Sequence, residues 1–203
     1  MTDSAATPLP FSLQPFVAGE PSAALPLHAL TVDVAWLDGA RLWLTYHWQL
    51  RPEAADPLRL PAAVPLPGAA DGLWQHSCAE LFVALPGQPG YLEFNFSPSG
   101  QWAVYAFADY RQRQTEGDCP ALPLPRIGCR RAESAFVLTA ELALADFPPA
   151  FRQAGQWQLG LTAVVETASG SFGYWALHHP GERPDFHHRG GMVATLDLPD
   201  FCS

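Results

Sequence analysis

Short runs of alternating apolar and polar residues recur along the chain, the pattern of half-buried β-strands. In RLWLTYHWQL, residues 41–50, Leu42, Leu44, Tyr46 and Trp48 share one face and Trp43, Thr45 and His47 the other. That second face is mixed, which predicts a strand covered on both sides. In CAELFVAL, residues 78–85, Ala79, Leu81, Val83 and Leu85 oppose Cys78, Glu80, Phe82 and Ala84. After the turn PGQPG, the run YLEFNFS sets Leu92, Phe94 and Phe96 against Tyr91, Glu93, Asn95 and Ser97. A second turn, SPSG, leads into QWAVYAF, so residues 77–108 read as a three-stranded meander. Further strands are expected over 29–35, 135–143, 157–166, 171–177 and 192–198.

About nine to ten mainly antiparallel strands at this spacing predict an all-β fold, a β-sandwich or jelly roll, because a sheet of that size buries its apolar faces best by folding onto itself. Helix is scarce. Only ALADFPPAFRQA, residues 143–154, reads as helical, for one or two turns, with Asp146 as a cap and prolines in the first turn. PLRLPAAVPLPG and CPALPLP read as extended surface connections or edge protection, since proline cannot donate to a ladder. No linker interrupts the 203 residues, which predicts one domain over 1–203.

Composition closes several functional classes. The net charge is -9, and all 11 basic residues are arginines scattered without a basic stripe, so nucleic acid is not an expected partner. The absence of lysine removes Schiff-base chemistry and the lysine-bearing phosphate loop. The N-terminal run MTDSAATPLPFSLQPF lacks a signal-peptide pattern, and no segment is apolar enough to span a bilayer, so a cytoplasmic location with no membrane partner is expected. Cys78, Cys119, Cys129 and Cys202 are far apart and read as free thiols. Asn95 lies in a formal glycosylation sequon, NFS, which is discounted because proline follows and no secretion signal precedes.

Candidate chemistry concentrates in three places. Glu80, Glu93 and Asn95 share the polar face of the meander, where they could hydrogen-bond a ligand, act as an acid–base pair, or form a solvated outer face. Trp74, at the end of the loop PGAADGL, and Trp175 stand apart from the other tryptophans as rings at loop ends, suited to stacking on a sugar. The stretch YWALHHPGERPDFHH, residues 174–188, holds His178, His179, His187 and His188. Pro180, Gly181 and Pro184 exclude a continuous helix there, and an extended chain turns neighbouring side chains apart, so each pair offers one histidine to a common point. A zinc site would need His76, Cys78, Glu80 or Asp185 to complete it. The competing expectation is that Phe186 tucks into the sandwich while two histidines bond backbone, leaving one or two for a ligand.

LWQHSCAELFVA, YLEFNFSPSGQWAVYAFADYR and YWALHHPGERPDFHH together resemble the DOMON-like β-sandwich domains, a group similar to family 9 carbohydrate-binding modules. The resemblance spans roughly residues 70–195 in order. In the sugar-binding members two tryptophans clamp a terminal sugar and a glutamate six residues after the first bonds it. Trp74 and Glu80 match that spacing, with Trp175 as the second clamp; QHSCA replaces the acidic residues that those modules carry between them. Other relatives bind haem through methionine with histidine or lysine, which draws attention to Met192. The expected function is non-catalytic binding of a sugar or other small polar ligand, with no cofactor and no metal. The site is expected to comprise Trp74, His76, Glu80, Glu93, Asn95, Tyr174, Trp175, His179, Asp185 and His187. The alternatives are a haem or metal protein, and a carbohydrate-active hydrolase using Glu80 and Glu93.

Overall fold

The computed structural model describes residues 7–16, 26–115 and 121–199. Among them thirteen strands form two antiparallel layers joined by one shared strand. The first layer has the order β1 (Leu9–Pro15), β2 (Leu27–Leu37), β3 (Arg41–Leu50), β10 (Ala135–Ala143), β9 (Arg126–Arg131). The second runs β8 (Gln112–Arg113), β7 (Trp102–Asp109), β6 (Tyr91–Phe96), β5 (Cys78–Ala84), β11 (Gln156–Thr167), β12 (Phe172–Ala176). β4 (Leu58–Arg59) and β13 (Ala194–Asp197) add to β11 at opposite ends. β1 pairs with β2 through Leu9–Leu13 and with β12 through Gln14 and Pro15, so it turns the corner between layers.

The alternation seen in the sequence explains the core. Leu42, Leu44, Tyr46 and Trp48 of β3 are fully buried, together with Val32 and Val34 of β2 and Leu138 and Leu142 of β10. Ala79, Leu81 and Val83, then Phe94 and Phe96, then Leu159, Leu161 and Val165 answer them from the second layer in one continuous cluster. The Tyr46 hydroxyl crosses the layers and donates to the Glu80 carbonyl at 2.7 Å, which satisfies a phenol that would otherwise cost free energy inside the core. The opposite face of β3 is only half buried: Trp43 donates to Thr45 and His47 bonds Asp33, and no further layer covers it among the described residues.

Thirteen strands exceed the expected nine or ten, because four carry little pattern. β4 and β8 have two residues each, β9 is the arginine-rich edge RIGCRR, and β1 contains two prolines. The helical segment is also shorter than expected. Leu144–Asp146 forms a single 3-10 turn and α1 spans Pro149–Arg152, since consecutive prolines cannot continue a hydrogen-bonded helix. Asp146 does not cap α1; Pro148 holds the N-cap position, with no side-chain cap. Cys78 is buried and Cys129 exposed, both as free thiols, whereas Cys119 and Cys202 lie outside the described residues. No helix among the described residues is long and apolar enough to cross a membrane.

Candidate functional site

The second layer buries both of its faces along β5 and β6, where every residue is buried. Its outer face has a regular grid set by strand register. Thr162, Glu80, Asn95 and Ala103 lie in one cross-strand row; Gly160, Phe82, Glu93 and Tyr105 in the next; Gln158, Ala84, Tyr91 and Phe107 in a third. Two loops roof this grid: the turn carrying Trp74, and the 177–193 segment, which lays Phe186 and Met192 against it. Between floor and roof is a cavity of about 390 Å³, lined in part by Trp74, Glu80, Glu93, Tyr105, Arg111 and His187.

Trp74 sits in the 3-10 turn Leu73–Gln75, entered through Gly72 at φ 73, a left-handed conformation that glycine adopts without strain. The indole remains 40 % exposed at the edge of the cavity and meets the Tyr105 ring edge to face, 5.9 Å between centroids. Tyr105 is itself fixed, because its hydroxyl donates to Asp71 and the Arg113 guanidinium lies 3.8 Å from its ring centre. One wall is therefore an ordered aromatic–cation stack. The opposite wall carries Tyr174 and Phe186, edge to face at 6.0 Å.

The floor is acidic. Glu80 is 2 % exposed, and its Oε2 accepts a hydrogen bond from the Thr162 hydroxyl at 3.1 Å. Glu93 accepts from Asn95 Nδ2 at 2.7 Å through Oε1. Burial pushes the Glu93 carboxyl up to about 7, against the pull of the Asn95 hydrogen bond and of Arg111 and Arg113. Burial, then the neighbouring Glu93 charge, raises Glu80 well above the ordinary carboxylate range. His187 Nε2 stands 3.7 Å from Glu93 Oε2, too far for a hydrogen bond. Burial, then the Arg111 charge, lowers the His187 pKa to about 4, so the two groups meet as neutral partners near pH 6 and not as an ion pair. The Tyr91 hydroxyl oxygen accepts the Arg111 backbone N–H, and the same hydroxyl is hydrogen-bonded to His187 Nδ1 at 2.8 Å, which fixes the ring with Nε2 toward Glu93.

Asp185 anchors the roof. Its Oδ1 accepts from Arg111 Nη2 at 2.8 Å and from the His187 backbone N–H, while its Oδ2 accepts from the Tyr110 hydroxyl. Arg111 holds φ 54, a conformation disfavoured for any residue with a Cβ. The Tyr91 and Asp185 bonds keep it there, with its side chain on the cavity.

The ten residues singled out in the sequence divide accordingly. Trp74, Glu80, Glu93, Tyr174 and His187 line the cavity, and Asn95 and Asp185 hold lining residues in place. Trp175 does not join them: it is 3 % exposed within the main core and borders a separate cavity of about 200 Å³ lined by β1 and β2 residues. A clamp between Trp74 and Trp175 is thereby corrected, and the reason is register. Trp175 pairs with the core residue Ala163, whereas Tyr174 pairs with Val164 of the outer face. His76 bonds Glu166, which also binds Arg59, and does not line the cavity. His179 bonds the Gln14 carbonyl, and His188 accepts from the Gly190 N–H.

Two expectations for the loop change as well. Phe186 packs against the outer-face cluster and not inside the sandwich. Met192 is 3 % exposed, fitted over Gly160, and its sulfur faces Arg189 Nη1 at 3.3 Å, so it is not presented as an axial ligand beside a histidine. No cluster of three or more histidine, cysteine or acidic side chains suited to a metal occurs among the described residues. Sequence reasoning missed Arg111, Arg113, Tyr105 and Phe107 on the cavity. The ring alternation in WAVYAF was a usable signal for the last two; nothing local marks the arginines of YRQR.

No protein-family model matches the chain, and no curated protein matches it. Among solved structures it is similar to a "putative carbohydrate-binding protein" from Bacteroides uniformis, with a TM-score of 0.59 and 17% sequence identity over 94% of this chain and 86% of the other. The likeness is one of fold.

Proposed function

We propose that this chain is a non-catalytic binding domain for a small carbohydrate or similar polar ring, of the DOMON-like kind related to family 9 carbohydrate-binding modules. The carrying observation is Trp74, an exposed indole at the edge of a cavity whose floor holds hydrogen-bonding carboxylates. An aromatic face covers the apolar side of a sugar ring while buried acceptors take its hydroxyl protons. A cavity of about 390 Å³ is at the small end of ligand sites and suits one or two sugar units. The fold neighbour described above, itself named for carbohydrate binding, supports the same reading.

Binding is favoured over hydrolysis by the electrostatics of the floor. Glycoside cleavage wants one carboxyl held protonated and its partner ionised, which requires environments that push the two apart. Here burial shifts Glu80 and Glu93 in the same direction. Titrating a panel of mono- and disaccharides while following tryptophan fluorescence tests the proposal. At least one sugar is expected to saturate the signal without being consumed, and Trp74→Ala is expected to abolish its binding. Unchanged affinity in that variant, or release of product by the native protein, overturns the reading.

A further inference from the structure

The cavity floor holds two acceptors that the protein itself leaves unused. Glu80 Oε2 is engaged by Thr162, but Glu80 Oε1 has no hydrogen-bond partner among the described residues. Glu93 Oε1 is engaged by Asn95, while Oε2 has only the distant His187 Nε2 at 3.7 Å. Both carboxylates are nine-tenths or more buried, at 2% and 5% exposure, and both line the cavity. Buried carboxylates are ordinarily paired with a cation or fully hydrogen-bonded.

The positive charges near the cavity are already matched by others. Arg111 is paired with Asp185 at 2.8 Å, and Arg113 lies 3.7 Å from Asp71 while stacked on Tyr105. His187 is held neutral by its burial. With the two rim pairs cancelling, the floor carboxyls are the unmatched groups of the site: burial favours their protonated form in the free protein, and a bound cation is what would let them ionise. Around them stand Trp74, Phe82, Tyr105, Phe107 and Tyr174, whose ring faces attract a cation as readily as they cover a sugar.

Resting on the carbohydrate-binding reading, we propose that the ligand is an amino sugar, bound with its protonated amine between Glu80 Oε1 and Glu93 Oε2 and its ring against Trp74. The ammonium supplies the donors that both carboxylates lack, and the rim pairs Arg111–Asp185 and Arg113–Asp71 offer donors and acceptors to the remaining hydroxyls.

Calorimetric titration of the full chain at pH 6.5 with glucosamine, galactosamine and mannosamine, each beside its parent hexose and its N-acetyl derivative, tests this directly. At least one amine is expected to bind about ten- to a hundredfold more tightly than both neutral counterparts, the worth of a charge-assisted hydrogen bond in a desolvated site. Glu80→Gln and Glu93→Gln, near-isosteric changes checked by thermal melting, are expected to weaken the amines far more than the neutral sugars and so bring the amine-to-neutral affinity ratio close to one. Neutral sugars that bind as well as the amines overturn the amino-sugar inference and leave carbohydrate binding standing. An amine preference that survives both substitutions also overturns it. Failure of every saccharide, charged or neutral, sinks the carbohydrate reading and this inference together.

Discussion

Replacing Glu93 by glutamine should make the protein more stable at alkaline pH and leave it almost unchanged in acid. Glu93 has an ordinary pKa of 4.5 when unfolded and about 7 in the folded chain, because burial penalises its charge more than Asn95, Arg111 and Arg113 relieve it. Between those values the folded state holds a proton that the unfolded state has released, so stability is complete below pH 4.5 and is lost as the pH rises through about 7. The displacement corresponds to about 3 kcal/mol carried by the folded state above pH 7. Glutamine keeps the shape and the acceptor for Asn95 Nδ2 but never ionises, and it frees Glu80 of a like charge. Urea unfolding of both proteins at pH 4, 6 and 8, followed by tryptophan fluorescence, gives the comparison. The variant should match the native protein within about 0.5 kcal/mol at pH 4 and exceed it by up to about 3 kcal/mol at pH 8. A difference independent of pH, or a variant less stable at pH 8, would refute a desolvated carboxyl at position 93.

His187 should act with the opposite sign. Its pKa falls to about 4 on folding, so it contributes stability that is complete above its unfolded value of 6.5 and is lost as the pH drops through about 4. His187→Gln should flatten the acid limb of the stability curve over that window, as read from melting temperatures in a pH series; an unaltered acid limb would show that the ring titrates normally. Trp175→Ala should cost about 3–5 kcal/mol, as for any large ring deleted from a core, and leave saccharide affinity intact, whereas Trp74→Ala should cost less than about 1 kcal/mol and abolish binding. Denaturant midpoints and titrations on the two variants would expose a reversal. Asp185→Ala should weaken binding without unfolding the sandwich, because Arg111 and the His187 backbone lose their shared anchor on the roof; protease cleavage within 177–193 should become faster.

The layered fold was legible because burial of one strand face writes a period of two into the chain. Leu42, Leu44, Tyr46 and Trp48, or Leu92, Phe94 and Phe96, could hardly point anywhere but inward. The strands that escaped notice are those whose position depends on a partner: Gln112 and Arg113 form β8 only by pairing back to Phe107 and Asp109. The same divide runs through the site. Glu80 and Glu93 follow from parity along β5 and β6, and Trp74 from the glycine-bearing turn before it. Parity alone does not say which face of FGYWA is outward, and the larger ring at 175 drew the assignment that belongs to Tyr174. Pairing with β11 decides the matter, and pairing is a long-range fact. Arg111 and Arg113 reach the cavity because a tight turn after β7 folds them back over Tyr91 and Tyr105, which no local residue pattern announces.

Hydrogen–deuterium exchange on the protein saturated with its tightest-binding saccharide tests the central claim most directly, since it locates the ligand without assuming any contact residue. Protection should gather at 71–75, at 105–113 and at 174–187, the segments that frame the cavity over β5, β6 and β7. Protection confined to β9, β10 and the outward face of β3, with those three segments exchanging as in the free protein, would contradict it.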